Sequence, residues 1–455
     1  MKGAAAVGQP NTVPAASRSM AELPVESPDR WIALFLMTTV YAMNIADRFV
    51  ISTLIEPIKA EFSLSDGAVG FLTGTALAIF YVAAGIPLGV LADRTNRKKM
   101  TALALAGWSL FTIACGYAQG FWHLFFARIG VGVGEAGGTP PSQALLSDKF
   151  LPSKRAFAMS IFGIGAAVGA WIGSTGGGWI NDHHGWRAVF VAFGIAGLPL
   201  AAIVWLGVRE PKRGQLDPSH PTAATSSLGD TLRFVRTQKA LLHILAGATV
   251  ITFWGWGLIW WTPSFLVRSH HLSVGEAGAL LGPMHGIGGA AAILLTAWVM
   301  HWSAGRDARW QIWVVAVTAL AGTGASAAAY LTESRFVAEI MLWVFVPIAY
   351  VYIGPTLALV QNAVLPSMRA QIIAILLFVA NIANLAVAPQ VIGWASDWLE
   401  TRVADPQQSL RYVLVAGTLT GLWAVFHYLA AARYLHADLL KAGTELAVRR
   451  TGATS

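Results

Sequence analysis

Residues 89–99 read Gly-Val-Leu-Ala-Asp-Arg-Thr-Asn-Arg-Lys-Lys, and this charged stretch separates two long apolar runs. The run before it occupies residues 67–92 and the run after it residues 98–118. Each is long enough to cross a hydrocarbon core, which takes ~20 apolar residues. The glycine permits close helix approach, and an asparagine tolerates the backbone of a tight turn. The stretch therefore predicts a short turn at a membrane surface between two transmembrane helices.

The same alternation of apolar runs and short polar turns continues along the chain. Of the 455 residues, 55% are hydrophobic and 12% charged, whereas a soluble domain carries about 25% charged residues. We therefore predict an all-α membrane protein with twelve transmembrane helices. The predicted spans are residues 31–55, 67–92, 98–118, 121–146, 156–181, 186–208, 240–267, 275–301, 310–331, 336–364, 370–398 and 410–435.

The longest polar stretch divides these spans six and six, and three motifs recur across it in the same order. Leu64, Ser65, Gly67, Gly70, Leu72 and Gly74 return 208 residues later, and the motifs at residues 151–156 and 178–182 return 214 and 215 residues later. This near-constant spacing in the same order indicates a duplicated half, with both copies in one orientation. The predicted order is a disordered tail over 1–30, a bundle over 31–208, a linker over 209–239, a bundle over 240–435 and a tail over 436–455.

The turns predict the orientation in the membrane. We count 23 Lys and Arg residues in the turns and tails on one side and six on the other, and the cation-rich side is normally cytoplasmic. We therefore expect a protein of the cell inner membrane with both termini in the cytoplasm and no cleaved signal. The excess of 31 Lys and Arg over 23 Asp and Glu reflects this topology and does not indicate a nucleic-acid partner. The single cysteine, Cys115, excludes an intrachain disulfide.

Residues 89–99 closely resemble the signature of the major facilitator superfamily, with Asn96 in place of its second glycine. The resemblance implies two six-helix bundles that form a cavity between them and work by alternating access. It also implies a cytoplasmic gate, in which the acidic residue packs against a helix of the other half. We assign to this gate Gly89, Asp93, Arg94 and Arg97. The corresponding stretch of the second half, residues 300–310, has no acidic residue at the position of Asp93, so we expect a one-sided latch.

Two further motifs are similar to those of the spinster-like branch of the superfamily, namely residues 44–48 (Asn-Ile-Ala-Asp-Arg) and residues 128–136 (Arg-Ile-Gly-Val-Gly-Val-Gly-Glu-Ala). That branch includes proton-coupled exporters of lysolipids and sphingosine phosphate. Organic-anion symporters of the same superfamily share an Asp-Arg in the first span and a Gly-x-Glu-Ala in the fourth. The resemblance therefore leaves two substrate classes open.

Charged residues inside predicted spans are costly and often mark a substrate or proton pathway. Arg128 and Glu135 are seven residues apart, which puts them on one helix face roughly 10 Å apart. By residue count Asp47 lies at the level of Arg128, so we predict that these two pair and that Glu135 lies deeper. We assign proton coupling to Asp47 and Glu135, and charge pairing or substrate binding to Arg48 and Arg128. A permanent buried ion pair is the alternative.

The second half has aromatic and amide candidates instead. Trp254 and Trp261 share a helix face, and we predict a substrate-facing aromatic wall there; an interfacial belt is the usual role of membrane tryptophans. His285 is a candidate for titration or headgroup binding, with simple packing as the alternative. Asn381 is a candidate substrate contact.

These residues favour a monomeric, proton-coupled secondary transporter that acts on an amphiphile with a charged head. A small organic anion is the main alternative, and a multidrug exporter is less favoured. The sequence shows no Ser/His/Asp arrangement, phosphate-binding loop or metal cluster, so we expect neither an enzyme nor a cofactor. The adjacent His183-His184 and His270-His271 pairs diverge on a helix and do not predict a metal site.

Overall fold

The computed structural model describes residues 26–216, 227–303 and 305–451, and within these ranges all regular structure is helical. Eleven helices there are long and apolar enough to cross a membrane, and a broken helix supplies the fourth of the twelve spans. We number the spans TM1 to TM12: Arg30–Thr53, Asp66–Ala92, Arg97–Gly116, Phe121–Lys149, Pro152–His184, Trp186–Gly207, Lys239–His270, Val274–Ser303, Arg309–Leu331, Arg335–Asn362, Pro366–Glu400 and Pro406–Lys441.

TM4 consists of two helices, Phe121–Ala136 and Thr139–Lys149, that meet at Gly137 and Gly138. The second helix begins Thr-Pro-Pro, and proline is tolerated in a first helical turn because no backbone N–H is needed there. The Gly138 N–H still donates to the Glu135 carbonyl at 3.1 Å. The break therefore lies two to three residues after Glu135, inside the span.

Four spans contain a π-helical turn at a similar depth. These turns are Phe71–Thr75 in TM2, Ile172–Gly176 in TM5, Met284–Gly289 in TM8 and Ile382–Val387 in TM11. Single π turns interrupt α-helices mainly at functional positions. In TM2, TM5 and TM8 the turn separates a shorter α-helical segment from a longer one, and in TM11 the two segments have 13 residues each.

The linker and the C-terminal segment are more ordered than the sequence predicts. The described part of the linker contains a helix, Leu228–Thr237, which buries Thr231, Phe234 and Val235. The last helix continues to Thr451, well past the predicted end at 435. Asp438 in this extension accepts the N–H of Ala240 at 2.6 Å and so caps the start of TM7. Of the predicted tails, residues 1–25 and 452–455 lie outside the described residues.

The two ends of the helical bundle differ in how closely the halves approach. We call the end that carries the turns at residues 93–97, 149–152 and 305–309 the basic end, and the other the opposite end. At the opposite end, a Cβ added at Gly70 would collide with the Pro389 carbonyl, and one added at Gly278 with the Ser174 carbonyl. A Cβ at Gly89, near the basic end, would meet no atom within 4 Å. The halves are therefore in close contact at the opposite end, whereas neither half packs against the Cβ position of Gly89.

Candidate functional site

A buried charge cluster lies in the first half, on TM1 and TM4. The Arg48 guanidinium donates to Glu135 Oε2 through Nε at 2.9 Å and Nη2 at 2.8 Å. The Glu135 side chain is fully buried, whereas 12% of the Arg48 side chain is exposed. The guanidinium also lies 4.9 Å from the centre of the Tyr81 ring. Arg48 is thus the member of this pair that solvent or a ligand can reach.

Asp47 and Arg128 do not form the ion pair that the sequence predicts. Asp47 accepts a hydrogen bond from the Thr112 hydroxyl at 3.0 Å. Arg128 is completely buried, and none of its guanidinium nitrogens has a hydrogen-bond partner among the described residues. Neighbouring positions on a helix point about 100° apart, so Asp47 faces TM3 while Arg48 faces TM4 and takes Glu135. The cluster holds two carboxyl and two guanidinium groups and is neutral when all four are ionised.

An aromatic cluster of the second half faces this region. Trp256, His285 and Tyr350 pack together, with ring centres 4.8 Å apart for Trp256 and Tyr350. His285 Nδ1 lies 3.0 Å from the Tyr350 hydroxyl, and its ring contacts Phe49 of TM1 at 4.6 Å. His285 is thus buried at the contact between the halves.

The predicted wall of Trp254 and Trp261 requires a correction. Both side chains are fully buried inside the second half. Trp261 donates to the Pro389 carbonyl at 3.2 Å, and Trp254 packs on Phe345 with ring centres 5.3 Å apart. Their seven-residue spacing does give them one face, but that face packs against helices of the same half. Trp256, two residues after Trp254, lies at the contact instead. Asn381 is half-buried at the last position before the π turn of TM11.

The residues predicted to form the gate at the basic end are only partly described. The side chain of Asp93 lies outside the described part of the structure, and Arg94 is exposed. Arg97 pairs with Asp148 of TM4 at 2.5 Å and with Glu210 of the linker at 2.8 Å. Arg97 therefore ties the turn to its own half and to the linker, and a gate built on Asp93 stays a prediction.

A latch that the sequence analysis missed closes the opposite end. Asp397 of TM11 accepts the N–H groups of Asp66 and Gly67 at the start of TM2, both at 2.8 Å. Asp182 of TM5 accepts the Gly275 N–H at the start of TM8 at 2.9 Å. Carboxylates are stabilised at helix N-termini. Both aspartates and both glycine motifs are the repeated elements, so the signal was present in the sequence but indicated only duplication.

A buried ion cluster reinforces the first copy of this latch. Arg268 of TM7 contacts Asp66 at 2.6 Å and Glu56 at 2.8 Å. Lys59 also contacts Asp66, at 2.6 Å. Because Arg268 belongs to the second half and the three other residues to the first, this cluster must separate if the opposite end opens.

The fold and sequence agree with those of known proteins. A family model described as Major Facilitator Superfamily matches residues 37–389. An MFS-type efflux pump of Mycolicibacterium smegmatis is 31% identical over 89% of this chain and 93% of its own length. A probable galactarate/D-glucarate transporter of Bacillus subtilis is 30% identical over 55% of this chain and 60% of its length.

A solved structure of similar sequence has the same fold. It is the crystal structure of a bacterial homolog to the human lysosomal transporter Spinster, in an inward-facing and unoccupied conformation. The TM-score is 0.81 at 28% sequence identity, and the match covers 91% of this chain and 99% of that one.

Proposed function

Because this chain belongs to the major facilitator superfamily and is related to the spinster proteins, we propose that it is a proton-coupled transporter that works by alternating access. It is a multi-pass membrane transporter and not an enzyme. In our proposal the basic end faces the cytoplasm of the cell inner membrane, as the excess of cations on that side favours.

The charge balance of the buried cluster carries the proposal of proton coupling. Protonation of Glu135 removes the negative charge that holds Arg48 and leaves the cluster with one net positive charge. The freed guanidinium is then available for a charge-assisted bond with an anionic group of the substrate. Proton uptake and anion binding thus favour each other, and deprotonation restores the Arg48 ion pair and expels the anion.

The contacts between the two halves of the protein support the proposal of alternating access. The latch at the opposite end is closed around Asp397 and Asp182, whereas Gly89 has no neighbour at the basic end. This arrangement corresponds to a transporter that is open towards the basic end. Opening of the other side requires the two carboxylates to leave the starts of TM2 and TM8.

We favour an amphiphile with a charged head as the substrate. The first half offers Arg48 for the head, and the second half offers the apolar rings of Trp256 and Tyr350 at the contact between the halves. The similarity to a bacterial spinster homolog supports this class. A small organic anion is the second candidate, because Arg48 alone suffices to bind a carboxylate, and the similarity to a probable galactarate/D-glucarate transporter supports it.

Ligands with one phosphate head and increasing chain length separate these candidates. We would measure their binding by thermal shift on the purified wild type, on Arg48→Ala and on a surface control, Arg335→Ala. An amphiphile buries each added methylene at ~0.8 kcal/mol, less the part already gained in the micelle, so affinity should rise with chain length in all three proteins. Only Arg48→Ala should lose the preference for a phosphate over a neutral head. Affinity that ignores chain length and disappears in Arg48→Ala would contradict the amphiphile and favour the organic anion.

A further inference from the structure

A narrow pocket with no room for a water molecule lies beside the break in TM4. Gly138 and Thr139 contribute the break itself, Asn44 of TM1 and Trp108 of TM3 form its polar walls, and Tyr41 and Phe162 complete it. The rings of Tyr41 and Phe162 stack with centres 4.7 Å apart. The pocket thus joins TM1, TM3, TM4 and TM5 within the first half.

Two side chains of this pocket are buried donors without an acceptor. Asn44 is 2% exposed and Trp108 is fully buried. Neither Asn44 Nδ2 nor Trp108 Nε1 has a hydrogen-bond partner among the described residues. Buried polar groups in proteins are normally paired, and each exception calls for an explanation. A ligand that supplies acceptor atoms would provide one.

The pocket also contains the hydroxyl groups of Tyr41, Thr139 and Ser142. The Ser142 hydroxyl already donates to the Gly138 carbonyl at 2.7 Å. Pro140 and Pro141, at the start of the second TM4 helix, have no backbone N–H to offer. An indole N–H can only donate a hydrogen bond. The ligand group that binds to Trp108 must therefore be an acceptor.

The lining also indicates the charge of that partner. All eight residues around the pocket are described, and none of them is charged. An anion moved into such surroundings would lose its hydration without gaining a cation, which is strongly unfavourable. A neutral oxygen, such as an ester carbonyl or a hydroxyl, is the acceptor that fits.

The position of Asn44 relates this pocket to the charge cluster. Tyr41, Asn44 and Arg48 are spaced by three and four residues and share one face of TM1. The rise from Asn44 to Arg48 is about 6 Å at 1.5 Å per residue. Along this face, towards the basic end, the guanidinium of Arg48 is followed by the neutral amide of Asn44 and then by the stacked ring of Tyr41.

We propose that Asn44 and Trp108 form a subsite for a neutral oxygen acceptor that the substrate carries about 6 Å from its anionic group. The inference rests on the proposed function, in which Arg48 binds that anionic group. In this structure the pocket is too narrow to admit the acceptor, so binding requires the stacked rings of Tyr41 and Phe162 to separate. The apolar part of an amphiphile would then lie beside those rings, on the side towards the basic end.

Two phosphates of equal chain length test the subsite. Lauroyl lysophosphatidic acid has an ester and a hydroxyl next to its phosphate, whereas dodecyl phosphate has neither. Because one hydrogen bond changes affinity by about tenfold, the wild type should bind the first at least that much more tightly. Trp108→Phe and Asn44→Leu should each reduce this preference by about tenfold and leave the affinity for dodecyl phosphate unchanged.

Trp254→Phe is the matched control, because Trp254 is equally buried and also has an unpaired Nε1 but lies outside the pocket. It should retain the preference. A preference that survives in both pocket variants, or an equal loss of both ligands, overturns the subsite. If the wild type binds neither phosphate, the amphiphile proposal fails, and the subsite is then tested with galactarate against adipate, which lacks the hydroxyls. Absence of a preference in that pair as well overturns the subsite itself.

Discussion

The two halves of the molecule repeat one backbone plan but have different interiors. The first half holds Asp47, Arg48, Arg128 and Glu135 between TM1, TM3 and TM4, and all but Arg48 are buried. The 208-residue repeat places Gly255 and Trp256 of the second half at the positions of Asp47 and Arg48. The shared elements are those through which the halves contact each other, and the elements that differ are those of the proposed site. In the proposed cycle, the rocking of the two halves uses both copies of the latch. Proton and substrate binding can be carried out by the charged residues of one half.

The two copies of the latch are also unequal. Asp397 binds at a helix start that carries Asp66, and this residue pairs with Arg268. In the other copy the residue at the position of Asp66 is Val274, and Asp182 is exposed. The first copy therefore combines a helix cap with buried ion pairs, and the second is a cap alone.

The largest expected effect comes from the charged half. Glu135→Gln keeps the shape of the protonated acid but cannot release a proton, so proton-driven accumulation should be abolished while substrate exchange continues. Transport into proteoliposomes, with and without a pH gradient, measures both. Glu339→Gln is the control, because Glu339 is a glutamate of the second half that pairs with Arg335 on an accessible surface. An unchanged pH dependence of transport in Glu135→Gln would place the proton carrier elsewhere.

The second prediction compares the two latch copies. Asp397→Ala removes the acceptor of two N–H groups beside a buried ion cluster and should favour opening of the opposite end by about 2 kcal/mol. Asp182→Ala acts at an exposed site and should shift the same equilibrium by less than about 1 kcal/mol. The readout is labelling of a Thr73→Cys reporter by an impermeant thiol reagent. Thr73 is buried at the contact with Trp260, and the native Cys115 is buried as well.

Equal labelling of the reporter in the two latch variants would show that the copies contribute alike. It would also remove the argument that the ion cluster around Arg268 strengthens the first copy.

A third prediction concerns the basic end, where Asp93 directly follows Ala92 at the end of TM2, whereas the aspartate after TM8, Asp307, lies four residues beyond Ser303. If Asp93 acts on a helix start of the second half when this end closes, Asp93→Asn should weaken closure by up to about 1 kcal/mol. A cysteine placed at Gly85, where an added Cβ would meet no atom within 4 Å, should then react faster with a reagent added from that side. An unchanged labelling rate would mean that residues 89–99 only help to orient the protein in the membrane and do not form a gate.

The smallest expected effect concerns the surface pair of Glu61 and Arg187. In the second half the repeat places a neutral residue, Ser269, at the position of Glu61. Hydrogen bonds from Arg187 at 2.6 Å and from the Trp186 indole at 2.7 Å lower the pKa of Glu61. A lowered pKa stabilises the fold above the ordinary pKa of the group, and that contribution is lost as the pH falls through the lowered value. Because the pair is exposed, Glu61→Gln should change stability at neutral pH by a few tenths of a kcal/mol.

Melting curves between pH 7 and pH 3 would measure this contribution. The wild type and Glu61→Gln should converge as the pH falls through the lowered pKa of Glu61. A constant difference across the range would contradict an electrostatic origin.

The positions of most spans follow from the sequence, since long apolar runs leave few places for the turns. TM9, for example, is predicted over 310–331 and observed over Arg309–Leu331. The break in TM4 was missed, although Gly137, Gly138 and the following prolines mark it, because a count of apolar residues ignores where the backbone can bend.

The candidate site was harder to predict because helix rotation depends on packing. The sequence identifies Asp47 and Arg48 as buried charges but does not determine which of the two faces TM4. For the same reason the sequence does not show that Trp256, and not Trp254, lies at the contact between the halves. The unpaired donors of Asn44 and Trp108 have no sequence signal, since only their surroundings make them unusual.

The four π turns have a consequence for the way in which this protein could be observed. Each lies at the contact between the halves, where Thr75 donates to the Ala386 carbonyl and Thr175 to the Gly278 carbonyl. Hydrogen bonds of π geometry are less regular than those of an α-helix, so we expect their amides to open locally more often than the flanking turns. Deuterium uptake at Phe71–Thr75, Ile172–Gly176, Met284–Gly289 and Ile382–Val387 should then change together when a substrate binds. The backbone would thereby report the transport cycle with no label attached.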